Sequence, residues 1–340
     1  MAITQETYAT TLRYFLAPIT EYLDDPAVTE IMINGPSEIH VERAGLLERV
    51  RPAMAFSHES LMSAATNIGQ FVGQRLAPDI ARFDARLPGG HRVHVVLPPV
   101  SRSGVSITIR KHGRKSLTMD ELVDRHGSVS PEARTFLDDQ VRGFRNVIVS
   151  GGTGTGKTTF LNALSAAIPD DQRILVLEDA AELQLQKSHV VSLETRPPDR
   201  KGRGQVTIRD LLHSALRMRP DRIIVGECRG GEALDMLQAM NTGHPGSMST
   251  VHADSPAGAL ERLETLALFA GFEIPVRFLR AQIAAAVHVL IQLQRLGGRR
   301  IVQSIVTVEG LNDGGGYVVK ERFVWDVGVG SLRSIEGTPR

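Results

Sequence analysis

The chain has 340 residues, of which 42% are hydrophobic and 23% charged, and its formal net charge is +1. This composition is typical of a globular protein of about two domains, and the near-zero charge argues against nucleic acid as the main partner. Cys228 is the single cysteine, which excludes an intrachain disulfide and favours a reducing, cytosolic setting.

The sequence has no run of apolar residues close to the roughly 20 that a membrane-spanning helix needs. Its first 30 residues carry five acidic side chains against one arginine and lack an apolar core, which argues against a secretory or mitochondrial targeting signal. We therefore expect a cytoplasmic protein without a membrane span. If it acts at a membrane, it does so peripherally, through a partner.

Residues 1–112 are predicted to form an α+β domain. Apolar residues recur at helical spacing over 3–23 and 57–73, whereas short runs within 29–50 and 86–110 are rich in β-type residues and separated by glycine turns. Residues 113–129 are polar and are predicted to form a linker, with a short helix over 119–123.

Residues 130–340 are predicted to form a second, α/β domain. Its apolar strands alternate with helices and end in polar residues, which favours a mainly parallel sheet with a site at the carboxyl ends of the strands. After a helix at 276–286, three glycine-separated strands predict a terminal β-meander, to which we assign no chemistry.

The segment 146–160 reads NVIVSGGTGTGKTTF and fits the phosphate-binding pattern G-x-x-x-x-G-K-T between a predicted strand and a helix. Glycines let backbone N–H groups surround an anion, and the helix adds its free N–H groups. Lys157 suits the β- and γ-phosphates of ATP, and Thr158 suits Mg²⁺. A chance match to a glycine-rich turn is the alternative. The predicted nucleotide-binding residues of this loop are Gly151, Gly152, Thr153, Gly154, Thr155, Gly156, Lys157, Thr158 and Thr159.

Carboxylates follow two of the predicted strands. Glu227 comes after the strand 222–225 and is a candidate general base for the attacking water. Glu178, Asp179 and Glu182 end another strand; Glu178 is a second candidate base, Glu178 and Asp179 are candidate Mg²⁺ ligands, and the case for Glu182 is weak. A single carboxylate after a strand is often only a solvated loop charge, and the sequence leaves the choice of base between Glu227 and Glu178 open.

A histidine and several arginines complete the candidate site. His252 ends a strand among polar neighbours, so it is either a γ-phosphate contact or a structural residue. Arginines stabilise charge that develops on a transferred phosphoryl group. The candidates are Arg217 and Arg219 before the Glu227 strand, and Arg92 and Arg110 in the first domain; each of them could equally be an ordinary surface residue.

Four ordered motifs resemble those of the secretion (traffic) ATPases of type II and type IV secretion systems and type IV pili. GGTGTGKT (151–158) is similar to their Walker A motif, ILVLEDAAEL (174–183) to the aspartate box, RIIVGE (222–227) to the atypical Walker B motif, and STVHADS (249–255) to the histidine box. The segment YLDDPAVTEIMINGPSEIHVER (22–43) adds to the likeness. Within the family, the chain looks most like the CpaF-type ATPases of Tad pilus assembly.

The resemblance implies a hexameric ring of subunits, each with a RecA-like P-loop ATPase domain that binds ATP and Mg²⁺ next to the N-terminal domain. Arg92 and Arg110 match positions that reach the phosphates in relatives, and Arg217 and Arg219 match another arginine motif. An inner-membrane platform protein would convert the movement that ATP hydrolysis drives into pilus assembly or protein secretion. One alternative is a conjugation-associated translocase acting on nucleic acid, which the basic loop 196–203 supports. Another is a scaffold that binds ATP but scarcely hydrolyses it.

Overall fold

The computed structural model describes residues 5–43, 45–52, 54–73, 76, 80–87, 89–111, 117–198 and 201–335. They fall into two compact units, Met1–Lys115 and Ser116–Arg340. The predicted domain end at residue 112 and the first part of the predicted linker, 113–116, lie outside the described residues.

The first unit contains a six-stranded sheet in which all neighbouring strands are antiparallel, in the order β3-β2-β1-β6-β5-β4. Alternate side chains of its strands, such as Ile31 and Ile33, are buried, so one face packs on the helices. The elements are α1 (Gln5–Phe15), α2 (Thr20–Asp24), β1 (Val28–Asn34), β2 (Ile39–Arg43), β3 (Leu46–Val50), α3 (His58–Phe71), β4 (Arg82–Arg86), β5 (Arg92–Val96) and β6 (Ser106–Arg110).

The N-terminal segment differs from the single helix that its periodicity predicts. Helix α1 ends at Phe15, a 3₁₀ turn follows over Ala17–Ile19, and α2 begins at Thr20. Pro18 lies in that turn, and because proline has no backbone N–H it interrupts the helical hydrogen bonds. The apolar residues around the break remain buried.

The second unit contains a nine-stranded sheet in the order β15-β14-β13-β12-β7-β11-β10-β8-β9. Six neighbouring strands are mutually parallel, namely β12, β7, β11, β10, β8 and β9. An antiparallel extension follows on the other side of β12, formed by β13, β14 and β15. The elements are α4 (Pro131–Arg142), β7 (Val147–Gly151), α5 (Lys157–Ser165), β8 (Ile174–Glu178), β9 (Val190–Glu194), α6 (Ile208–Ala215), β10 (Arg222–Val225), α7 (Glu232–Asn241), β11 (Met248–Val251), α8 (Pro256–Leu268), α9 (Val276–Ala286), β12 (Val289–Leu296), β13 (Arg299–Leu311), β14 (Tyr317–Asp326) and β15 (Ser331–Ser334).

Two hydrophobic cores cover the faces of this sheet. Ile148 and Leu175 belong to the core that α6, α7, α8 and α9 complete, whereas Val147 and Val176 belong to the core with α4 and α5. The four central strands are therefore buried along their whole length, as parallel strands covered by helices on both sides are. The predicted α/β fold class is confirmed.

The described part of the predicted linker packs against the second unit. Residues Glu121–Arg125 form a π-helical turn, and Met119, Leu122 and Val129 are buried in the core that contains α4. These three apolar side chains are separated by polar residues in the sequence. The polar composition of the segment as a whole therefore gave no indication that they are buried. Among the helices of the described residues, none has the length and apolar character needed to cross a membrane.

Candidate active site

The glycine loop joins the end of β7 at Gly151 to the start of α5 at Lys157. Gly154 and Gly156 have φ angles of +72° and +95°, a left-handed conformation that glycine adopts without steric cost. A Cβ atom on Gly151 would lie 2.6 Å from Thr155 Oγ1 and 2.8 Å from the carbonyl oxygen of Leu293. The backbone of the loop is thus shaped for glycine, and its helix presents free N–H groups, as a phosphate cradle requires.

Lys157 lies between the loop and a carboxylate. Its ammonium nitrogen Nζ donates hydrogen bonds to the carbonyl oxygens of Gly151 at 2.9 Å and Gly152 at 3.2 Å, and it is 4.0 Å from Glu227 Oε1. Burial lowers the pKa of the Lys157 ammonium, while the Glu227 carboxylate acts in the opposite direction. The structure therefore brings together two of the predicted catalytic residues.

The other predicted carboxylates and His252 lie at the same edge of the sheet. Because β8, β10 and β11 run parallel to β7, their carboxyl ends meet there. Glu178 is the last residue of β8, and Asp179 follows it with an exposed side chain. Glu182 is half-buried in the loop beyond, and His252 follows β11 directly with its side chain exposed.

Glu178 is a buried carboxyl group, with 4% of its surface exposed. Its Oε1 accepts hydrogen bonds from the backbone N–H groups of Glu182 and Leu183, each at 2.9 Å. Burial raises its pKa to about 7, against the effect of those two hydrogen bonds. A Cβ atom on Gly226 would lie 2.9 Å from Glu178 Cγ, so Glu178 packs against the backbone just before Glu227.

Arg229 is a site residue that the sequence did not reveal. Its Nε and Nη2 both donate to Glu227 Oε2, at 2.8 Å and 2.6 Å, and its Nη1 is 3.6 Å from Asp179 Oδ2. It follows Glu227 by two residues in GECRGG, and that position alone carries no signal, because the partner of a long side chain depends on the folded loop.

Arg300 is a second unforeseen neighbour of the glycine loop. Its Nε donates to the carbonyl oxygen of Gly154 at 2.9 Å. Arg300 lies in β13, within the terminal meander to which the sequence assigned no chemistry. Strand β12 pairs with β7, so the hairpin that β12 forms with β13 passes beside the loop.

Arg217 and Arg219 lie away from the glycine loop of their own chain. They precede β10, whereas Glu227 follows it, so they stand at the amino end of the parallel strands. Their loop contacts the start of β8, where Arg173 Nε donates to the carbonyl oxygen of Met218 at 3.0 Å. Four strand residues span about 13 Å, which separates these arginines from the carboxyl edge.

Arg92 and Arg110 belong to the first unit and are directly paired across β5 and β6. Opposite residues of an antiparallel pair lie on the same face of the sheet, and both positions are exposed. Glu30 is the partner of Arg110 on the other side, in β1. Burial raises the pKa of the Glu30 carboxyl, and Arg110 opposes that shift. Two guanidinium-bearing residues are thus held side by side.

The residue after Glu227 is Cys228, which is 3% exposed. Its Sγ is 3.4 Å from Met236 Sδ, and burial raises the pKa of its thiol. Over the described part of the chain, no group of three or more His, Cys, Asp or Glu side chains is arranged to hold a metal ion.

The chain is similar to known proteins over most of its length. Residues 15–308 match the family described as "Type II/IV secretion system protein". The conjugal transfer protein TrbB of Rhizobium radiobacter is 36% identical over 296 residues, covering 85% of this chain and 86% of TrbB. The type IV secretion system protein VirB11 of Bartonella henselae is 32% identical over 326 residues, covering 85% of this chain and 91% of VirB11.

A solved structure shows the same fold. The X-ray structure of the Legionella pneumophila ATPase DotB matches with a TM-score of 0.60 and 20% identity, covering 93% of this chain and 82% of that one. The extent of the family match and the identity to TrbB and VirB11 confirm the family that the four motifs predict. The chain therefore belongs to the type II/IV secretion system family and is one of its ATPases.

Proposed function

We propose that this ATPase is a motor that hydrolyses Mg-ATP to drive pilus assembly or protein secretion. The observation that carries the proposal is the position of Lys157, whose ammonium lies on the glycine loop and 4.0 Å from Glu227 Oε1. A cation for the phosphates and a carboxylate for the water are thus adjacent, which is what hydrolysis of a phosphoanhydride bond needs.

The chemistry assigns one task to each group. The backbone N–H groups of the loop and of the first turn of α5 bind the phosphates, and Lys157 exchanges its carbonyl partners for phosphate oxygens. Glu227 accepts a proton from the attacking water. The oxygen of that water bonds to the γ-phosphorus while the bond from the γ-phosphorus to ADP breaks. We favour Glu227 over Glu178 as base, because Glu178 is buried and already accepts two backbone hydrogen bonds.

The residues at the loop suit Mg²⁺ bound together with a nucleotide. Mg²⁺ usually takes one or two protein oxygens besides phosphate oxygens and waters, and Thr158 offers a hydroxyl group in the first turn of α5. Asp179 offers an exposed carboxylate at the same edge, whereas Glu178 suits a ligand role less well because its carboxyl group is buried. Bound in this way, the ion would neutralise negative charge on the phosphates.

We also propose a hexameric ring that works through an inner-membrane platform protein, with the Tad type of pilus as the specific setting. Family membership and the motif resemblance support this proposal. Arg92 and Arg110 would contact the phosphates as a pair. Since Arg217 and Arg219 lie at the opposite edge from Lys157 in their own chain, any catalytic role for them would be exerted at the site of a neighbouring subunit.

Two variants test the catalytic assignment. Lys157→Ala and Glu227→Gln should each lower Mg-dependent ATPase turnover by about 100-fold or more, since they remove the phosphate-binding cation and the general base. Lys320→Ala, an exposed position in β14, is the matched control and should turn over ATP normally. Wild-type turnover in both site variants would refute the assignment.

Conjugal transfer is the second candidate function, because TrbB, a conjugal transfer protein, is 36% identical to this chain. The exposed basic residues Arg196, Lys201 and Arg203 of the loop after β9 would then contact nucleic acid. ATPase turnover measured with and without single-stranded DNA distinguishes the two. Stimulation that declines steeply with salt favours a translocase acting on DNA, and unchanged turnover favours the secretion motor.

A further inference from the structure

The guanidinium group of Arg229 donates two hydrogen bonds to one carboxylate oxygen of Glu227, and the other oxygen lies near Lys157. Both Nε and Nη2 of Arg229 donate to Oε2, at 2.8 Å and 2.6 Å, whereas Oε1 is the atom 4.0 Å from the Lys157 ammonium. The carboxylate is thus fixed in rotation. A base held in this way presents the same oxygen to the glycine loop in every turnover.

The backbone of Arg229 is itself held in place at the start of α7. Glu232 Oε1 accepts hydrogen bonds from the N–H groups of Arg229 at 2.6 Å and Gly230 at 2.8 Å. On its other side, Arg229 borders a cleft of about 400 Å³ that Asp179, Arg196 and Glu232 also line. The backbone that carries Arg229 is therefore held in place, and its guanidinium lies between Glu227 and an open cleft.

This arrangement contributes little to stability. The Arg229 side chain is 65% exposed and that of Glu227 24%, and ion pairs with such an exposed partner contribute little to the free energy of folding. Loss of this ion pair should therefore change the melting temperature little. An effect of Arg229 on turnover can thus be measured separately from an effect on stability.

We propose that Arg229 is the positioning residue for the hydrolytic reaction, acting through Glu227. It holds the carboxylate in the orientation from which Oε1 takes the proton of the attacking water. This inference rests on the proposed role of Glu227 as base, and it assigns Arg229 no contact with ATP.

Steady-state kinetics of Arg229→Gln and Arg229→Lys provide the test. Arg229→Gln should lower kcat about tenfold, with KM for Mg-ATP changed by less than about threefold, because orientation of the base is lost while nucleotide binding is kept. Arg229→Lys should give an intermediate kcat, since lysine restores the charge without the planar fork. The melting temperature should stay close to that of the wild type. Arg333→Gln, which removes another exposed arginine from an ion pair with Asp326, is the matched control and should leave kcat unchanged.

A double-mutant cycle shows whether Arg229 acts through Glu227. In a Glu227→Gln background, Arg229→Gln should change the single-turnover rate by less than about twofold. An equal loss in both backgrounds, a rise in KM at constant kcat, or an unchanged kcat in the single variant would each overturn the proposal. Full activity of Glu227→Gln would instead refute the assigned base, whereas an inactive Glu227→Gln with a fully active Arg229→Gln refutes only the role of Arg229.

Discussion

Glu178 shows how a single buried carboxyl group makes stability depend on pH. Burial raises its pKa from 4.5 to about 7, so between these values the folded protein keeps a proton that the unfolded chain has lost. Stability therefore decreases as pH rises from about 4.5 and reaches its low value above about 7. A shift of this size corresponds to about 3 kcal/mol.

Glu178→Gln should remove this dependence, because the amide oxygen can accept the same two backbone hydrogen bonds without a charge. Relative to wild type, the variant should gain about 2–3 kcal/mol of stability between pH 5 and pH 8, because part of the wild-type loss has already occurred at pH 5. Denaturant titrations of the full chain at both pH values measure the free energy of unfolding and hence the gain. Glu321→Gln, at an exposed position, should show none. Parallel stability curves for Glu178→Gln and wild type would contradict the expectation.

At the scale of elements, the turn between α7 and β11 depends on a buried arginine. Arg222 is completely buried, and its guanidinium donates to the carbonyl oxygens of Val141 at 2.7 Å and Gly246 at 3.1 Å. It also stacks on the Phe144 ring, 4.2 Å from the centroid. One side chain thus joins the end of α4 to the turn before β11.

Gly246→Ala should disturb this junction strongly. Gly246 has a φ of +77°, and a Cβ atom there would lie 2.0 Å from Arg222 Nη1. We expect a loss of about 2–4 kcal/mol in stability, since backbone strain and a clash with a buried side chain add. Gly243→Ala isolates the strain, because Gly243 also has a positive φ but no atom within 4 Å of the added Cβ. Equal melting temperatures for the two variants would disprove the clash.

The β12–β13 hairpin acts on the glycine loop through Arg300. Arg300→Ala should weaken ADP binding about 3–10-fold, because the loop loses a hydrogen bond of typical strength that restrains it. Isothermal titration calorimetry measures this directly. Arg299→Ala, which removes a donor to the carbonyl oxygen of His126 instead, should bind ADP normally. Unaltered affinity in Arg300→Ala would show that the hairpin contact does not matter for binding.

The sequence predicted the parts of the site that are local in the chain. Gly151–Thr158 could be identified because phosphate binding needs glycine, lysine and a helix start within eight consecutive residues. Arg229 and Arg300 could not, because their partners are chosen by loop conformation and by strand pairing. The opposite placement of Arg217 and Glu227 follows from strand direction, since residues before and after a parallel strand stand at opposite edges. The division of the N-terminal helix was hidden because Pro18 left the apolar spacing intact.

For the whole molecule, the proposed ring makes a prediction about mass. With Mg²⁺ and a non-hydrolysable ATP analogue, light scattering should give a particle of about six times the 37.1 kDa of the chain. Nucleotide should favour assembly, because a ligand that binds the assembled form more tightly than the monomer shifts the equilibrium towards the ring. A monomer at all protein and nucleotide concentrations would contradict the ring. Lys157→Ala should assemble only at higher nucleotide concentration.

The burial of Cys228 makes the wild-type chain a convenient background for fluorescence experiments. The thiolate is the form that maleimide dyes attack, and this thiol is inaccessible as well as shifted towards its protonated form. A pair of cysteines introduced at exposed sites, one in each unit, can therefore carry donor and acceptor dyes without replacing Cys228. Energy transfer between the dyes would then follow the two units through the ATP cycle in a protein whose core is unaltered.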